Sequence, residues 1–179
     1  MRFGILGAIT VWTDGGDVVP VPGAKVRAVL ADLLLHAGRP VSADRLIDDV
    51  WGDDPPGNAA GTLSAKVSQL RRALDGAEPG AKALVVSPPP GYSLRVADGA
   101  LDADRFADLT ARSRATTDPA QKSRLLTEAL DLWRGEALTE FADEEFARAT
   151  VGKLTEQRVA AQEDLAFARL ELHEHAALV

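Results

Sequence analysis

A chain of 179 residues, 46% hydrophobic and 26% charged, can bury one large core or two small ones and has the balance of an ordinary soluble globular protein. It contains no cysteine, which excludes disulfides and thiolate metal sites and fits a reducing cytoplasm. The formal charge of −7 argues against nucleic acid only until it is mapped along the chain. Ten basic and ten acidic residues precede Asp98, whereas ten and seventeen lie from Asp98 onward, so the whole deficit lies in the second part. An acidic stretch beside a neutral one implies two units with different partners, 1–97 and 98–179.

The opening run from Met1 to Trp12 is broken by Asp14-Gly15-Gly16, too soon for a signal segment or a membrane span. Within residues 2–21 the apolar clusters Phe3-Ile5-Leu6, Ile9-Val11-Trp12 and Val18-Val19-Val21 are split by Gly7 and by the turn Asp14–Asp17. They predict a small antiparallel sheet. A first helix follows from Gly23 to His36, with Val26, Leu30, Leu33 and Leu34 on one side and Gly38 as its stop. Ser42 is an N-cap for a second helix that turns Leu46, Ile47, Val50 and Trp51 inward. The stretch Asp53–Asn58, with Pro55-Pro56-Gly57, forces a turn, and a third helix runs from Ala59 to Leu74. Beyond a loop at Gly76–Gly80, Leu84–Val86 and Tyr92–Val96 flank Pro88-Pro89-Pro90-Gly91 and predict a hairpin.

The character changes near Ala97–Leu101. Helices start at Asp102 and at Asp118-Pro119, where an N-cap precedes a proline at the first helical position. Gly135 breaks the pattern. From Asp143 a helix continues almost to the end, with Phe146, Val151, Leu154, Leu165 and Leu172 among its apolar positions. Helices joined by short loops pack as antiparallel hairpins. No stop signal precedes Val179, so the natural protein is expected to continue.

Three helices followed by a hairpin is the order of a winged helix-turn-helix. On a wheel of about 100° per residue, Leu63, Val67, Leu70 and Leu74 of the third helix form one narrow stripe. The opposite side presents Ala65, Ser68, Gln69 and Arg72, with Thr62 and Lys66 along one edge and Ser64 and Arg71 along the other. No acidic residue lies between Ala59 and Leu74. Small residues permit close approach, an amide suits base edges, and cations and hydroxyls suit phosphates. An ordinary solvated amphipathic helix would also show a polar outer face; the preceding turn, the capped second helix and the hairpin favour the DNA-reading alternative.

The segments Asp49-Val50-Trp51-Gly52, Lys66–Leu74 and Pro89-Pro90-Gly91-Tyr92-Ser93-Leu94 resemble the DNA-binding domain of OmpR-type response regulators. The version found in actinobacterial antibiotic regulatory proteins, the SARP family, is more similar still. Arg2–Gly7 resembles that family's start. Leu130-Asp131-Leu132-Trp133-Arg134-Gly135 and Phe141–Glu144 resemble its second part, the bacterial transcriptional activation domain.

The resemblance implies an α+β winged helix (N-terminal antiparallel sheet, three helices, hairpin wing) followed by an all-α tetratricopeptide-like domain. It assigns DNA contact to Trp51, Thr62, Ser64, Ala65, Lys66, Ser68, Gln69, Arg71, Arg72 and Tyr92, with Trp51 near the DNA backbone and Gly91 and Tyr92 at the wing's tip and base. One departure is Pro88, where family members often carry a basic residue; it puts minor-groove contact by the wing in doubt, and Arg95 is too far along the strand to replace it. The implied partners are double-stranded DNA, RNA polymerase including its sigma subunit, and a second protomer on direct repeats near promoters. The implied targets are secondary-metabolite genes. No membrane partner, cofactor or metal is implied, and the expected location is the cytoplasm.

Two other functional classes fit the residues less well. For an enzyme, His36 sits at a helix end beside Gly38, where capping or a dipole role suits it. His173 and His175 point about 200° apart on a helix and cannot share a metal. No Gly-rich phosphate loop precedes a helix, and the carboxylates at Glu140–Glu145 read as a solvated face. For a purely protein-binding module, the aromatics Phe106, Trp133, Phe141, Phe146 and Phe167 are expected in the core rather than in a ligand pocket.

Overall fold

The computed structural model describes residues 1–172. β1 (Arg2–Gly4) and β2 (Thr10–Trp12) pair antiparallel with Phe3 opposite Val11, both buried. The third expected strand does not form. Val18 makes a single bridge to Trp12 and is exposed, because Pro20 and Pro22 remove the amide donors a longer ladder would need.

α1 (Ala24–Leu35) is buried on nearly every side, from Ala28 through Leu34 without interruption. Its spacing predicts one apolar face; it is instead a central helix, enclosed by helices at Ala43–Trp51, Ala59–Ala77 and Glu145–Glu171 and by the strand Gly91–Leu94. α2 (Ala43–Trp51) begins where Ser42 accepts the Arg45 amide at 3.2 Å. α3 (Ala59–Ala77) begins where the Asn58 side chain accepts the Gly61 amide at 3.0 Å. It runs through Gly76, where a loop was expected. One glycine costs a helix only about 1 kcal/mol, and the Glu78 amide still bonds to the Leu74 carbonyl at 2.9 Å. Pro79 is the stop that Gly76 is not.

A single 3-10 turn (Ala81–Leu84) leads into β4 (Val85–Val86) and then β5 (Gly91–Leu94). β5 is the middle strand of three. It pairs antiparallel with β4 (Val85 opposite Leu94) and with β3 (Val41–Ser42; Val41 opposite Tyr92). β3 is too short to leave a pattern in the sequence. The expected position of Gly91 at the hairpin tip is corrected here. Gly91 lies inside β5 opposite Ser42, where any Cβ would collide with the Val41 carbonyl; the tip is Ser87–Pro90.

α4 (Asp102–Ala115), α5 (Pro119–Leu130) and α6 (Glu145–Glu171) pack in sequence, α4 on α5 and α5 on α6. Asp118 caps α5 through the Ala120 amide at 3.0 Å. The break at Gly135 broadens into successive turns over residues 131–144. Phe106 and Trp133 meet edge to face at 5.5 Å, and Phe141 is buried beside the half-buried Phe146. Phe167 departs from its expected core position and is 66% exposed. His173 and His175 lie outside the described residues. Among the described residues no helix is long and apolar enough to cross a membrane.

One hydrophobic core runs from Phe3 through α1 to Leu165. Residues 3–10 tie its two parts together. The Phe3 amide donates to the Ala100 carbonyl at 2.7 Å, and the Ile5 and Leu6 amides donate to the two oxygens of Asp102 at 2.8 and 3.0 Å. Arg134 returns from the other side: its amide donates to the Leu6 carbonyl (2.8 Å), Nη1 to the Ala8 carbonyl (2.9 Å) and Thr10 Oγ1 (2.7 Å), and Nη2 to Asp102 (3.0 Å). Its guanidinium lies 5.0 Å over the Trp12 ring. Leu138 completes the seam with a left-handed φ of 50°, its amide donating to the Ile5 carbonyl at 2.9 Å. That conformation costs a leucine about 1–2 kcal/mol, which complete burial of its side chain offsets.

Candidate nucleic-acid interface

α3 is held by its apolar stripe, Leu63, Val67, Leu70 and Leu74, each at most 1% exposed. That stripe fixes which residues face outward. Ser64, Ala65, Ser68 and Arg72 are exposed. Arg72 is tethered only to its own helix, Nε to the Ser68 carbonyl at 3.4 Å, and makes no ion pair among the described residues. This surface carries a cation, two hydroxyls and a methyl group with no carboxylate.

The remaining residues of the sequence-derived set are less free. Thr62 donates its hydroxyl to the Asn58 carbonyl at 2.8 Å, so it finishes the helix start. Lys66 and Gln69 are half-buried. Gln69 and Arg72 border a shallow hollow with Pro20, Pro22 and Ala73, so the segment entering α1 flanks the outer face of α3. The apolar pattern of residues 2–21 predicts sheet there and carries no sign of this placement.

Arg71 is engaged within the fold. Its Nε donates to the Val85 carbonyl at 2.9 Å and its Nη2 to Ser87 Oγ at 2.7 Å. It ties α3 to the hairpin and carries its charge to the hairpin's edge. Its neighbour Ser64 and the partner Ser87 lie on that same side. Tyr92 is half-buried in the central strand, paired with Val41.

Trp51 lies elsewhere. It is half-buried at the end of α2, 5.9 Å beneath Lys25 Nζ, which also donates to the Val50 carbonyl at 2.5 Å. It lines a cleft of about 890 Å³ with Asp48, Asp53, Glu144, Glu145 and Phe146. Those carboxylates make a poor setting for a phosphate backbone. Lys25 was not singled out from sequence, since nothing local links it to a residue 26 positions away.

Behind the interface, α1 carries Asp32, with 0% exposure. Burial, then the neighbouring Asp49 carboxyl, pushes its pKa up to about 7, partly opposed by Arg45. His36 Nδ1 lies 3.0 Å from its carboxyl oxygen and 2.9 Å from its backbone carbonyl. The expected capping role of His36 is met in part by its backbone, whose amide closes α1 on the Asp32 carbonyl.

Two family models cover most of this architecture. That for the C-terminal domain of transcriptional regulatory proteins matches residues 22–94, and that for the bacterial transcriptional activator domain matches residues 101–179. The chain belongs to the SARP family of transcriptional regulators. Among its relatives, the regulatory protein AfsR of Streptomyces coelicolor is 41% identical over 77% of this chain and 14% of its own length. The transcriptional regulatory protein EmbR of Mycobacterium tuberculosis is 37% identical over 90% of the chain and 42% of its own length. The transcriptional regulator RedD of Streptomyces coelicolor is 32% identical over 92% and 48%. The chain therefore spans between about a seventh and half of these proteins. A solved structure of Mycobacterium tuberculosis EmbR, in complex with a low-affinity phosphopeptide, superposes with a TM-score of 0.88 at 36% identity. It covers 99% of this chain and 47% of the other. The SARP-type chain thus shares its α+β arrangement of small sheets and helices with EmbR.

Proposed function

We propose that this chain is a sequence-specific activator of transcription whose first unit, residues 1–97, is a winged helix-turn-helix that lays α3 in the major groove of double-stranded DNA. The observation that carries the reading is the outer face of α3. Ser64, Ala65, Ser68 and Arg72 stand open on a stretch from Ala59 to Leu74 that holds no acidic residue, and the carboxylate that follows, Asp75, is engaged by Lys82 and the Gly80 amide, in a chain that is acidic overall. Gln69 at the edge of this face supplies an amide for a base, adenine by preference. Lys66, Thr62 and Arg72 serve phosphates or base edges, and the hairpin at Ser87–Pro90 acts as the wing. Arg71 and Tyr92 position that wing. We assign Trp51 to the cleft between the units rather than to the phosphates.

The second unit, residues 98–179, is tetratricopeptide-like in this proposal. Its acidic surface is unsuited to DNA and serves protein partners: a second protomer on an adjacent direct repeat, and RNA polymerase with its sigma subunit. Pairing on DNA makes the second binding event effectively intramolecular. Family membership supports secondary-metabolite genes as targets.

Selection of bound sites from a random DNA pool tests the reading. The wild-type chain should yield a repeated sequence, and Gln69→Ala should relax one base position per half-site, costing about 1–3 kcal/mol there. An unchanged sequence preference in the variant removes Gln69 from base reading. Failure to select any sequence overturns the proposal itself.

A further inference from the structure

A second cavity lies on the far side of α1, where the two units meet. Its floor is apolar: Ile5 beyond β1, Leu34 and Leu35 at the end of α1, Leu101 before α4, and Leu154 on α6. Its volume is about 460 Å³, inside the range of roughly 300–1,000 Å³ typical of small-molecule sites, which favour boundaries between packed units.

The rim carries charges of both signs without partners. Arg39 and Lys153 line it, both exposed, and neither makes an ion pair or side-chain hydrogen bond among the described residues. Asp104, in the first turn of α4, lines it as well and is likewise unpaired. Partial burial, then repulsion from Asp102 and Asp98, pushes the Asp104 carboxyl up, and no neighbouring cation offsets it. The two cations therefore stand apart from this carboxyl instead of neutralising it. Some exposed charges elsewhere on the molecule do pair, as Arg105 does with Glu128 and Arg45 with Asp49.

We propose that this groove binds a small zwitterion of the amino-acid class with an apolar side chain, its carboxylate taken by Arg39 and Lys153, its ammonium by Asp104, and its side chain by the leucine-lined floor. Both charged groups of such a ligand lie on its α-carbon, so its head meets the charges the protein leaves open at the rim, and the charge-assisted bonds orient its side chain toward the floor. Because one wall belongs to α1 and the others to α4 and α6, the ligand bridges the two units.

Titration calorimetry of the 179-residue chain without DNA decides the matter, so its outcome is independent of the DNA-binding proposal. The probes are L-leucine and L-phenylalanine, with 4-methylpentanoate (no ammonium) and isoamylamine (no carboxylate) as the halves of leucine. At least one amino acid should bind saturably, and each half should bind at least about tenfold more weakly than leucine or not at all. Asp104→Asn should erase the preference for leucine over 4-methylpentanoate, and Lys153→Ala should weaken the preference over isoamylamine. Ala107→Trp, which fills the groove from α4, should abolish binding, with circular dichroism confirming its fold. Lys153 and Asp104 are exposed, so their variants carry the test should Ala107→Trp misfold. The absence of saturable heat with both amino acids at about 10 mM, binding of the halves as tight as leucine, or binding unchanged in the three variants would each overturn the proposal.

Discussion

The outer face of α3 and the seam around Asp102 and Arg134 are both built from charged and hydroxyl side chains, yet they treat them in opposite ways. At the seam Asp102 accepts two backbone amides and a guanidinium, and Arg134 is engaged at both terminal nitrogens and over Trp12. On α3, Arg72 reaches only a carbonyl of its own helix, and Ser64 and Ser68 make no side-chain hydrogen bond as donors among the described residues. Polar groups that the fold already satisfies hold structure; polar groups left open in water are available to something else. The contrast also separates Arg71 from Arg72, adjacent residues with different work. Arg71 is tied to the hairpin and Arg72 is not.

The strongest attack on this comparison is at the seam. Arg134→Ala leaves Asp102 without its cation and strips donors from the Ala8 carbonyl and Thr10. Thermal or urea unfolding should show a loss of about 2–3 kcal/mol. A change within about 0.5 kcal/mol would mean that the network adds nothing to what the apolar core supplies. Arg72→Ala, by contrast, should leave stability unchanged within the same margin.

A second effect, of similar or smaller size, concerns the buried carboxyl in α1. Asp32 has a folded pKa of about 7, above its unfolded value near 3.9. Between these values the folded state holds a proton that the unfolded state has released, so stability falls as pH rises through this window. The penalty is complete above about pH 7 and absent below about pH 4. Asp32→Asn keeps a neutral side chain of the same shape and should be more stable than wild type at pH 8 by on the order of 1–3 kcal/mol. The two should converge near pH 4. Parallel stability curves across that range would show that Asp32 does not titrate within it.

The smallest effect divides the two arginines on DNA. Arg72→Ala should reduce the log–log salt dependence of binding by about one unit on every sequence. Arg71→Ala should instead act through the hairpin, releasing Ser87 and the Val85 carbonyl, so its loss of affinity should come with altered hydrogen exchange in β4. Equal salt slopes for wild type and Arg72→Ala would take Arg72 out of the interface, and the contrast between open and engaged cations would lose its functional meaning.

Much was legible before the structure because it depends on near neighbours along the chain. Helical spacing of Leu63, Val67, Leu70 and Leu74 fixed the inward side of α3 and with it the outward one, and Ser42 and Asp118 cap helices as their side chains allow. The Pro/Gly turn set the hairpin between Val86 and Gly91. The family's motifs, from Val50-Trp51-Gly52 to Trp133-Arg134-Gly135, named the architecture. What stayed hidden depends on partners far apart in sequence. No local pattern says that Arg71 would reach Val85 and Ser87, that Gly91 would press against Val41, or that Lys25 would sit over Trp51. Helical periodicity shows that a side of α1 is apolar, but not that α2, α3, β5 and α6 would enclose it entirely and trap Asp32. The charge count assigned the two stretches different surfaces; only the fold shows that residues 3–10 bind them into one core, because a backbone amide finds Asp102, and a backbone carbonyl finds Arg134, through space, and sequence spacing carries no measure of that distance.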